Sequence, residues 1–300
     1  MKYTFGVDIG GTEVKLGKFS GVELIEKYNI KTNANDNGKY IIKQICDFIK
    51  SEIKDDELIG IGMGVPGPAR DGFVFVAPNL GWVNYDVKAE ILNYFPGINV
   101  YIGNDANMAA LGEKAHGGAK EFDSYVFVTL GTGVGGGVVL NGKLVEGAFG
   151  GAGEIGHSNV EPNGRLCSCG LHGCIERYAS ATGIVETANI MRVNNQTKLN
   201  DEPVTAKLVF DLAKIGDEVA IKVVDYSLDM LAITLSQIST VLNPEAFIIG
   251  GGVSNAGQYL LDILEQKFMT KAFKPQKNTK FRLATLGNDA GIYGCAYSVK

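Results

Sequence analysis

The chain has 300 residues, of which 45% are hydrophobic and 20% are charged, so it can bury a core in more than one domain. Its 28 Lys and Arg against 33 Asp and Glu give a net charge of -5, which argues against nucleic acid as a partner. Asp8 interrupts any apolar export signal, and the longest uncharged stretch, 124–142, is too rich in glycine for a membrane helix. We therefore expect a cytoplasmic protein with two domains and no membrane partner.

The first half of the sequence predicts an antiparallel meander followed by alternating helices and strands. Its predicted strands are 4–9, 14–19, 22–30, 58–64 and 98–102, and its predicted helices are 36–54, 86–94 and one that ends near residue 116. In the second half, residues 125–133 repeat the step from a strand into a glycine turn that residues 5–12 make. The further elements predicted there are a strand at 134–140, helices at 175–193 and 218–242, a strand at 246–249 and a closing helix from Asp289.

The repeated turn indicates an internal duplication, with two α/β halves whose first turns face a shared cleft. One large sheet with coincidental glycines is the alternative. Gly10-Gly11-Thr12 and Gly131-Thr132-Gly133 can each point backbone N–H groups at an anion, because glycine adds no Cβ to block its approach. Either turn alone is typical of an ordinary hairpin, whereas the pair favours nucleotide binding, with Asp8 available to hold Mg²⁺ through water.

Two other glycine-rich segments have more than one interpretation. Residues 131–136 match the G-x-G-x-x-G pattern of dinucleotide sites, but a strand follows them where such a site needs a helix, so we give this interpretation little weight. Residues 250–254 follow a predicted strand and precede a helix that starts near Ala256. Such a turn lets a purine lie against bare backbone, and a purely structural turn is about as well supported.

Asn104 and Asp105 lie where a predicted strand ends and a helix starts. A carboxylate in this position is often only a helix N-cap. The functional interpretation of Asp105 is a general base that accepts the proton of an attacking hydroxyl during phosphoryl transfer. Only the surrounding motifs favour that interpretation over the capping one.

The turn Pro78-Asn79-Leu80-Gly81-Trp82 combines a side-chain amide with the single Trp of the chain. Asn79 can be a plain turn residue, and Trp82 can be a domain anchor. An amide beside an aromatic ring equally suits a sugar, which needs several hydrogen-bond donors and acceptors.

The five cysteines do not suggest a disulfide framework in a chain of this length. Cys46 and Cys295 fall in helical patterns and are expected to be core residues. The other three are close together in the sequence and indicate a metal cluster.

That cluster is the most specific pattern in the sequence. Cys167, Cys169 and Cys174, together with His157, make a closed four-ligand set suited to structural Zn²⁺. His172 is a rival fourth ligand, but it is confined inside the cysteine loop, so we favour His157. Buried free cysteines are the alternative, although two cysteines separated by one residue in a glycine-rich loop seldom both pack as apolar groups.

In this order the motifs resemble the ROK family (repressors, uncharacterised frames and sugar kinases), and most closely its bacterial glucokinases. The matching segments are 8–12, 62–68, 79–82, 104–107, 130–137, 153–157, 167–176 and 250–254. The resemblance implies an α/β fold of the two-lobed actin-like ATPase (ribonuclease H-like) class, with the active site in the interlobe cleft. The smaller lobe would be 1-116 with 289-300, and the larger lobe, which carries the zinc-binding loop, would be 117-288.

The resemblance also implies roles for individual residues. Asp105 resembles the family's catalytic base, which accepts the proton of the sugar's C6 hydroxyl. The residues that resemble its substrate-binding set are Gly67, Asn79, Asn104, Asp105, Glu154, His157 and Glu176. Those that would bind the nucleotide are Asp8, Gly10, Gly11, Thr12, Thr132, Gly133, Gly251 and Gly252, and the zinc ligands would be His157, Cys167, Cys169 and Cys174. His157 would then place one ring nitrogen on the structural zinc and the other toward the sugar, while Mg²⁺ with ATP neutralises charge.

The implied activity is that of an ATP-dependent hexose 6-kinase, most closely one for glucose, which works as a homodimer. Kinases for mannose, fructose, allose or N-acetylmannosamine are the alternatives within this class. The family also contains sugar-responsive repressors, but the meander begins near Thr4 and leaves no room before it for a DNA-binding domain. A non-catalytic sugar sensor is a third hypothesis, against which Asp105 and the two phosphate turns argue.

Two residues depart from the family pattern. They are Glu13 after Gly-Gly-Thr and Gly103 before Asn-Asp, and they bear on ATP affinity and sugar preference.

Overall fold

The computed structural model describes residues 1–299 as a mixed α/β chain with three β-sheets. The strands are β1 (Lys2–Ile9), β2 (Glu13–Ser20), β3 (Glu23–Lys31), β4 (Glu57–Val65), β5 (Ala69–Arg70), β6 (Phe73–Ala77), β7 (Trp82–Asp86), β8 (Asn99–Asn104), β9 (Tyr125–Leu130), β10 (Val134–Leu140), β11 (Lys143–Leu144), β12 (Ala246–Gly250) and β13 (Lys280–Leu283). The α-helices are α1 (Asn35–Gly38), α2 (Ile41–Ile53), α3 (Val87–Tyr94), α4 (Asp105–His116), α5 (Glu176–Ala179), α6 (Ala181–Met191), α7 (Ala206–Lys214), α8 (Glu218–Leu242), α9 (Gln258–Lys271) and α10 (Ala290–Ser298).

The first sheet has the order β3-β2-β1-β4-β8 and contains the predicted meander. β1, β2 and β3 pair antiparallel, whereas β1, β4 and β8 run parallel. The register places Asp8 opposite Gly64, and Val65 opposite Asn104. Because the carboxyl ends of parallel strands share one edge of a sheet, this register brings Asp8 and Asp105 to the same edge.

The second sheet has the order β11-β10-β9-β12-β13, and β9, β12 and β13 in it run parallel. β9 leads into a glycine turn and β10 follows it, so the predicted repeat of a strand, a glycine turn and a second strand is confirmed in the secondary structure. A third, antiparallel sheet of β5, β6 and β7 was not predicted. Its strands have only two to five residues, which is too short for an alternating pattern to be recognised.

Two of the predicted helices are interrupted. In the first, predicted over 36–54, Asp36 and Asn37 have φ values of 50° and 56°, a left-handed conformation that Asp and Asn tolerate better than most residues. In the second, predicted over 175–193, Ser180 is extended, and its side chain accepts a hydrogen bond from the N–H of Gly183 to cap α6. Helix α7 was missed, whereas α8 begins and ends at the residues predicted from its periodicity.

The last helix, α10, lies backbone to backbone against β1, β4 and α4. Four glycines leave room for this approach. An added Cβ would overlap a carbonyl oxygen of the facing element in the pairs Gly6–Ile292, Gly62–Cys295, Gly112–Ala290 and Gly294–Met108. Cys295 of α10 and Cys46 of α2 are fully buried, which confirms that both are core residues. The packing of α10 therefore sets the distance between the sheet that carries Asp8 and the helix that starts at Asp105.

The chain divides into two compact units, which are described separately below. The first consists of Met1–Glu121, Gly137–Gly153 and Leu286–Lys300, and the second of Phe122–Gly136 and Glu154–Thr285. The first unit has an apolar core in which α2 packs Ile41, Ile42, Ile45 and Ile49 with residues of β1, β2 and β4. None of the helices within residues 1–299 has the length and apolar composition that crossing a membrane requires.

The glycine contacts of α10 generate a stability prediction. In the middle of a helix, Gly→Ala usually stabilises by up to about 1 kcal/mol. For Gly294→Ala we expect the opposite, a loss of about 3 kcal/mol, because the new methyl group would overlap the Met108 carbonyl and force α10 away from α4. Urea denaturation followed by circular dichroism measures the change. Gly151→Ala is the control, since nothing lies within 4 Å of the Cβ added there. A Gly294→Ala protein as stable as the parent would show that α10 does not pack this closely.

Candidate active site

The Gly10-Gly11-Thr12 turn of the first unit is held in place through its carbonyl groups. Thr32 donates its hydroxyl proton to the Gly10 carbonyl at 2.7 Å and its backbone N–H to the Thr12 carbonyl at 3.0 Å. The N–H of Gly10 donates to the carbonyl of Glu13 at 2.9 Å. Within residues 1–299 the N–H groups of Gly11 and Thr12 have no acceptor, so they are available to a bound anion.

Asp8 lies at the end of β1, beside this turn. Burial raises the pKa of its carboxyl group, and the positive charge of Lys15, its partner on β2, offsets part of that shift. The carboxylate faces the start of α10, where a Cβ on Gly291 would lie 2.8 Å from Asp8 Oδ2. An acidic group in this setting is poised to ionise when a cation is bound next to it.

Asn79 lies against the same turn, in a 3₁₀ turn over Pro78–Leu80. A Cβ on Gly11 would be 3.6 Å from the Cβ of Asn79. Trp82 is only 3% exposed, and its Nε1–H donates to the carbonyl of Gly38 at 3.2 Å. The structure therefore favours Trp82 as an anchor inside the first unit and leaves the exposed amide of Asn79 to face a ligand.

Asn104, rather than Asp105, caps helix α4. Its Oδ1 accepts hydrogen bonds from the N–H groups of Ala106 at 2.9 Å and Asn107 at 3.2 Å, and its Nδ2 donates to the carbonyl of Gly67 at 3.4 Å. Asp105 is the first residue of the helix, and its Oδ1 also accepts from the Ala106 N–H, at 2.8 Å. Because Asn104 fills the cap position, capping does not explain why a carboxylate occupies position 105.

The Gly131-Thr132-Gly133 turn belongs to the second unit. Its Gly131 N–H donates to the Gly133 carbonyl at 3.0 Å, and the following N–H, of Val134, donates to Glu176 Oε2 at 3.1 Å. A Cβ on Gly133 would overlap the same carboxylate. Glu176 therefore packs directly against the turn.

A cluster of four possible metal ligands lies next to Glu176. The ligand atoms of His157, Cys167, Cys169 and Cys174 all lie within 4.8 Å of one another. Cys169 Sγ and Cys174 Sγ are 3.7 Å apart, and His157 Nδ1 is 3.8 Å from Cys167 Sγ. Two sulfurs bound to one tetrahedral zinc at about 2.3 Å are separated by about 3.8 Å. The donor set and its spacing therefore fit Zn²⁺.

The rival histidine lies elsewhere. His172 Nδ1 is 2.9 Å from the carbonyl of Gly164 and does not belong to the four-residue group. His157 ends a 3₁₀ turn over Ile155–His157 that Glu154 precedes. Because His157 presents Nδ1 to the thiols, its Nε2 is the ring nitrogen left for a second contact.

The glycine turn after β12 also lies near the Gly131 turn. Gly251 has a left-handed φ of 81°, and a Cβ on it would lie 2.5 Å from the carbonyl oxygen of Leu130. A Cβ on Gly252 would meet nothing within 4 Å, so one side of this segment is open. The hydroxyl of Ser254 donates to the Gly251 carbonyl at 2.7 Å and holds the turn.

Each unit thus collects its own part of the predicted site. The first unit brings together Asp8, Gly10, Gly11, Thr12, Gly67, Asn79, Asn104 and Asp105, and the second brings together Thr132, Gly133, Glu154, His157, Glu176 and Gly251 with Gly252. The sequence prediction missed Thr32 and Thr182, whose hydroxyl groups donate hydrogen bonds to the carbonyls of the two glycine turns. Neither lies in a motif, and the only local signal was the N-cap pattern that starts at Ser180.

Comparisons with known proteins identify the family of the chain. A sequence model of the ROK family matches residues 4–300. The chain is 39% identical over 315 residues to the glucokinase of Halalkalibacterium halodurans, with 100% of this chain and 95% of the relative covered. It is 37% identical to the glucokinase of Thermotoga maritima, with 98% and 96% covered.

A solved structure shows the same likeness in three dimensions. The ROK family glucokinase from Streptomyces griseus, in complex with glucose and AMPPNP, has a TM-score of 0.79 and 32% identity, with 99% of both chains covered. The predicted resemblance and the α/β fold of the actin-like ATPase class are therefore confirmed.

The raised pKa of Asp8 generates a prediction for stability against pH. Folding raises the pKa of the Asp8 carboxyl group above its value in the unfolded chain, which is about 3.9. The protonated group therefore contributes to the stability of the folded state at pH values below the unfolded-state pKa, and this contribution is lost as the pH rises through the folded-state pKa. At pH 7 the ionised group therefore costs stability. We expect Asp8→Asn to melt at a higher temperature than the parent at pH 7, without ligands, and the difference to shrink toward pH 4.

Thermal unfolding between pH 4 and pH 7.5 measures this difference. Asp71→Asn is the matched control, because the Asp71 side chain is 84% exposed in the first unit. Its difference from the parent should not vary with pH in the same way. A parent more stable than Asp8→Asn at pH 7 would contradict the prediction.

Proposed function

Because the chain belongs to the ROK family, we propose that it is an ATP-dependent kinase that transfers a phosphoryl group to the C6 hydroxyl of glucose. The observation that carries this proposal is the similarity to glucokinases along the whole chain. A kinase for another hexose or for N-acetylmannosamine would keep the same chemistry and differ in a few hydroxyl contacts.

Asp105 is the proposed general base. It accepts the proton of the C6 hydroxyl as the oxygen attacks the terminal phosphorus of ATP, and such positioned proton transfer is worth about 10²- to 10⁴-fold in rate. The helix start holds the carboxylate because Asn104 supplies the cap and ties α4 to the carbonyl of Gly67. Asn104 is thus supported both as a sugar-binding group and as the residue that positions its neighbour.

Each unit carries polar residues that we propose for sugar binding. They are Asn79, Asn104 and Gly67 in the first unit, and Glu154, His157 and Glu176 in the second. Amide and carboxylate groups of this kind match the alternating donors and acceptors of a hexose. The exposed amide of Asn79 and the unused Nε2 of His157 support this assignment.

The two glycine turns are the proposed phosphate-binding elements. The N–H groups of Gly11 and Thr12, which have no acceptor within residues 1–299, support this role in the first unit, and Thr132 and Gly133 are the corresponding residues of the second. Gly251 and Gly252 would accommodate the adenine beside open backbone. Mg²⁺ bound with ATP neutralises phosphate charge, and Asp8 is the residue that would hold it through water.

We propose that the four-residue cluster binds a structural zinc ion. Its three thiols and one imidazole form a closed set with no position left for a substrate, which is typical of structural rather than catalytic zinc. With Nδ1 of His157 committed to the cluster, the imidazole ring is held in one orientation toward the sugar. The same loop supports Glu176, whose Oε1 lies 3.8 Å from Cys167 Sγ.

We further propose that the enzyme is a cytoplasmic homodimer that supplies glucose 6-phosphate to glycolysis. The homodimer is what the family resemblance implies. ATP as the phosphoryl donor is supported by the relative from Streptomyces griseus, whose structure contains the ATP analogue AMPPNP.

The base assignment is tested with Asp105→Asn, which keeps the size of the side chain and removes its basicity. We expect kcat to fall by about 10²- to 10⁴-fold, while the dissociation constant for glucose changes by less than about threefold. Rates are measured as MgATP-dependent ADP release with a panel of hexoses and N-acetylhexosamines. Asp71→Asn, the same exchange at an exposed site, should keep the parental kcat.

Each outcome of that assay has a distinct meaning. Turnover of Asp105→Asn close to that of the parent would show that another group is the base. Preference of the parent for another sugar would change only the substrate. A folded, zinc-containing parent that phosphorylates none of the sugars would overturn the kinase proposal in favour of a sugar sensor.

Zinc binding is tested by metal analysis of the purified protein. We expect about one zinc per chain in the parent and much less in Cys174→Ser, together with a lower melting temperature, because the closed ligand set is broken. Cys46→Ala is the control, since this buried cysteine of α2 lies outside the cluster and its loss should leave the zinc content unchanged. A stable parent without zinc would contradict the assignment.

A further inference from the structure

We infer that Thr182, at the start of helix α6, is a positioning residue for the nucleotide, acting through the Gly131-Thr132-Gly133 turn. This inference rests on the proposed function of that turn as a phosphate-binding element. Thr182 is an exposed residue of the second unit, and no motif of the sequence includes it. Its hydroxyl donates a hydrogen bond to the carbonyl of Thr132 at 2.7 Å.

All three carbonyl groups of the turn are hydrogen-bonded within the second unit. The Gly131 carbonyl accepts from the N–H of Ala181 at 2.8 Å, and the Gly133 carbonyl accepts from the Gly131 N–H at 3.0 Å. The Thr132 carbonyl accepts from the hydroxyl of Thr182. Two consecutive residues at the start of α6 therefore hold two consecutive peptide groups of the turn.

Of the N–H groups of residues 131–134, two have acceptors in the second unit and two do not. Those of Gly131 and Val134 donate to the Gly133 carbonyl and to Glu176. Those of Thr132 and Gly133 have no acceptor in the part of the chain that the structure describes. Because a peptide plane is rigid, fixing the Thr132 carbonyl also fixes the direction of the Gly133 N–H on the other side of the same peptide bond. The hydroxyl of Thr182 thus aims a free donor at the ligand.

The direction of every proton in this contact follows from the donors available. The N–H of Gly183 donates to Ser180 Oγ at 3.0 Å, and Ser180 Oγ lies 2.9 Å from Thr182 Oγ1. Thr182 has one hydroxyl proton and gives it to the carbonyl of Thr132, so Ser180 must donate to Thr182. These hydrogen bonds form a series from the Gly183 N–H through the Ser180 and Thr182 hydroxyls to the Thr132 carbonyl, and each bond polarises the next.

The test is Thr182→Val, which replaces the hydroxyl by a methyl group of similar size. We expect KM for ATP to rise about 3- to 10-fold, the range for losing one hydrogen bond, with kcat and KM for glucose within about twofold of the parent. The dissociation constant of the magnesium complex of AMPPNP, measured by calorimetry, should rise by the same factor. Thr182→Ser keeps a hydroxyl at this position, so the KM for ATP and the affinity for AMPPNP should stay close to those of the parent.

Thr187→Val is the matched control. Thr187 lies in the same helix, and its hydroxyl bonds the carbonyl of Gly183 inside α6, so the exchange is identical but does not touch the turn. Melting temperatures of all variants separate a loss of folding from a loss of nucleotide affinity. An unchanged AMPPNP affinity in Thr182→Val, or an equal loss in Thr187→Val, would overturn the inference.

The two proposals fail in different ways. A parent that binds the nucleotide without phosphorylating any sugar overturns the kinase function, and the affinities of the two variants still decide the role of Thr182. A parent that phosphorylates sugar while Thr182→Val keeps the parental KM for ATP overturns only the role of Thr182. A parent that binds no nucleotide overturns both.

Discussion

The first unit depends on the direct contact between the backbone of α10 and its surroundings. Glycines at 6, 62, 112 and 294 remove the side chains that would otherwise separate α10 from β1, β4 and α4. Close packing of this kind transmits small displacements, since there is no soft layer of side chains to absorb them. β1 carries Asp8 and α4 carries Asp105, so the separation of these two carboxylates is set by an interface with almost no room to adjust. The chemistry proposed for the protein needs that kind of rigidity.

The two proposed phosphate turns share one principle of construction. In each, hydroxyl and amide donors from neighbouring segments occupy the carbonyl oxygens of the turn: Thr32 in the first unit, and Ala181 with Thr182 in the second. A peptide group whose carbonyl is held has its N–H held as well, and for Gly11 and Gly133 that N–H has no acceptor within residues 1–299. Glycine permits the approach of an anion, but the groups that bond the turn carbonyls determine the direction in which the free N–H groups of the turn point. They come from outside the glycine motifs, which explains why a motif search overlooks them.

Periodicity predicted the long elements well and the short or interrupted ones poorly. Helix α8 has 25 residues with a regular apolar face, and its bounds were predicted correctly. The break at Asp36 and Asn37 depends on the contact between Trp82 and Gly38, which joins residues 44 positions apart and leaves no local pattern. The candidate site shows the same limit: the sequence identified Asn104 and Asp105, but only the hydrogen bonds of the structure separate the cap from the proposed base.

The placement of α10 also constrains the order in which the protein can fold during synthesis. Domains generally fold as units, the amino-terminal one first. Here the first unit begins at Met1 and still needs residues 286 onward, whereas the second unit is complete at Thr285. Until α10 emerges, the grooves at Gly6 and Gly62 in the sheet and at Gly112 on α4 have nothing to fill them. The unit that starts first is therefore the last to be completed, because its final helix is synthesised after the whole of the second unit.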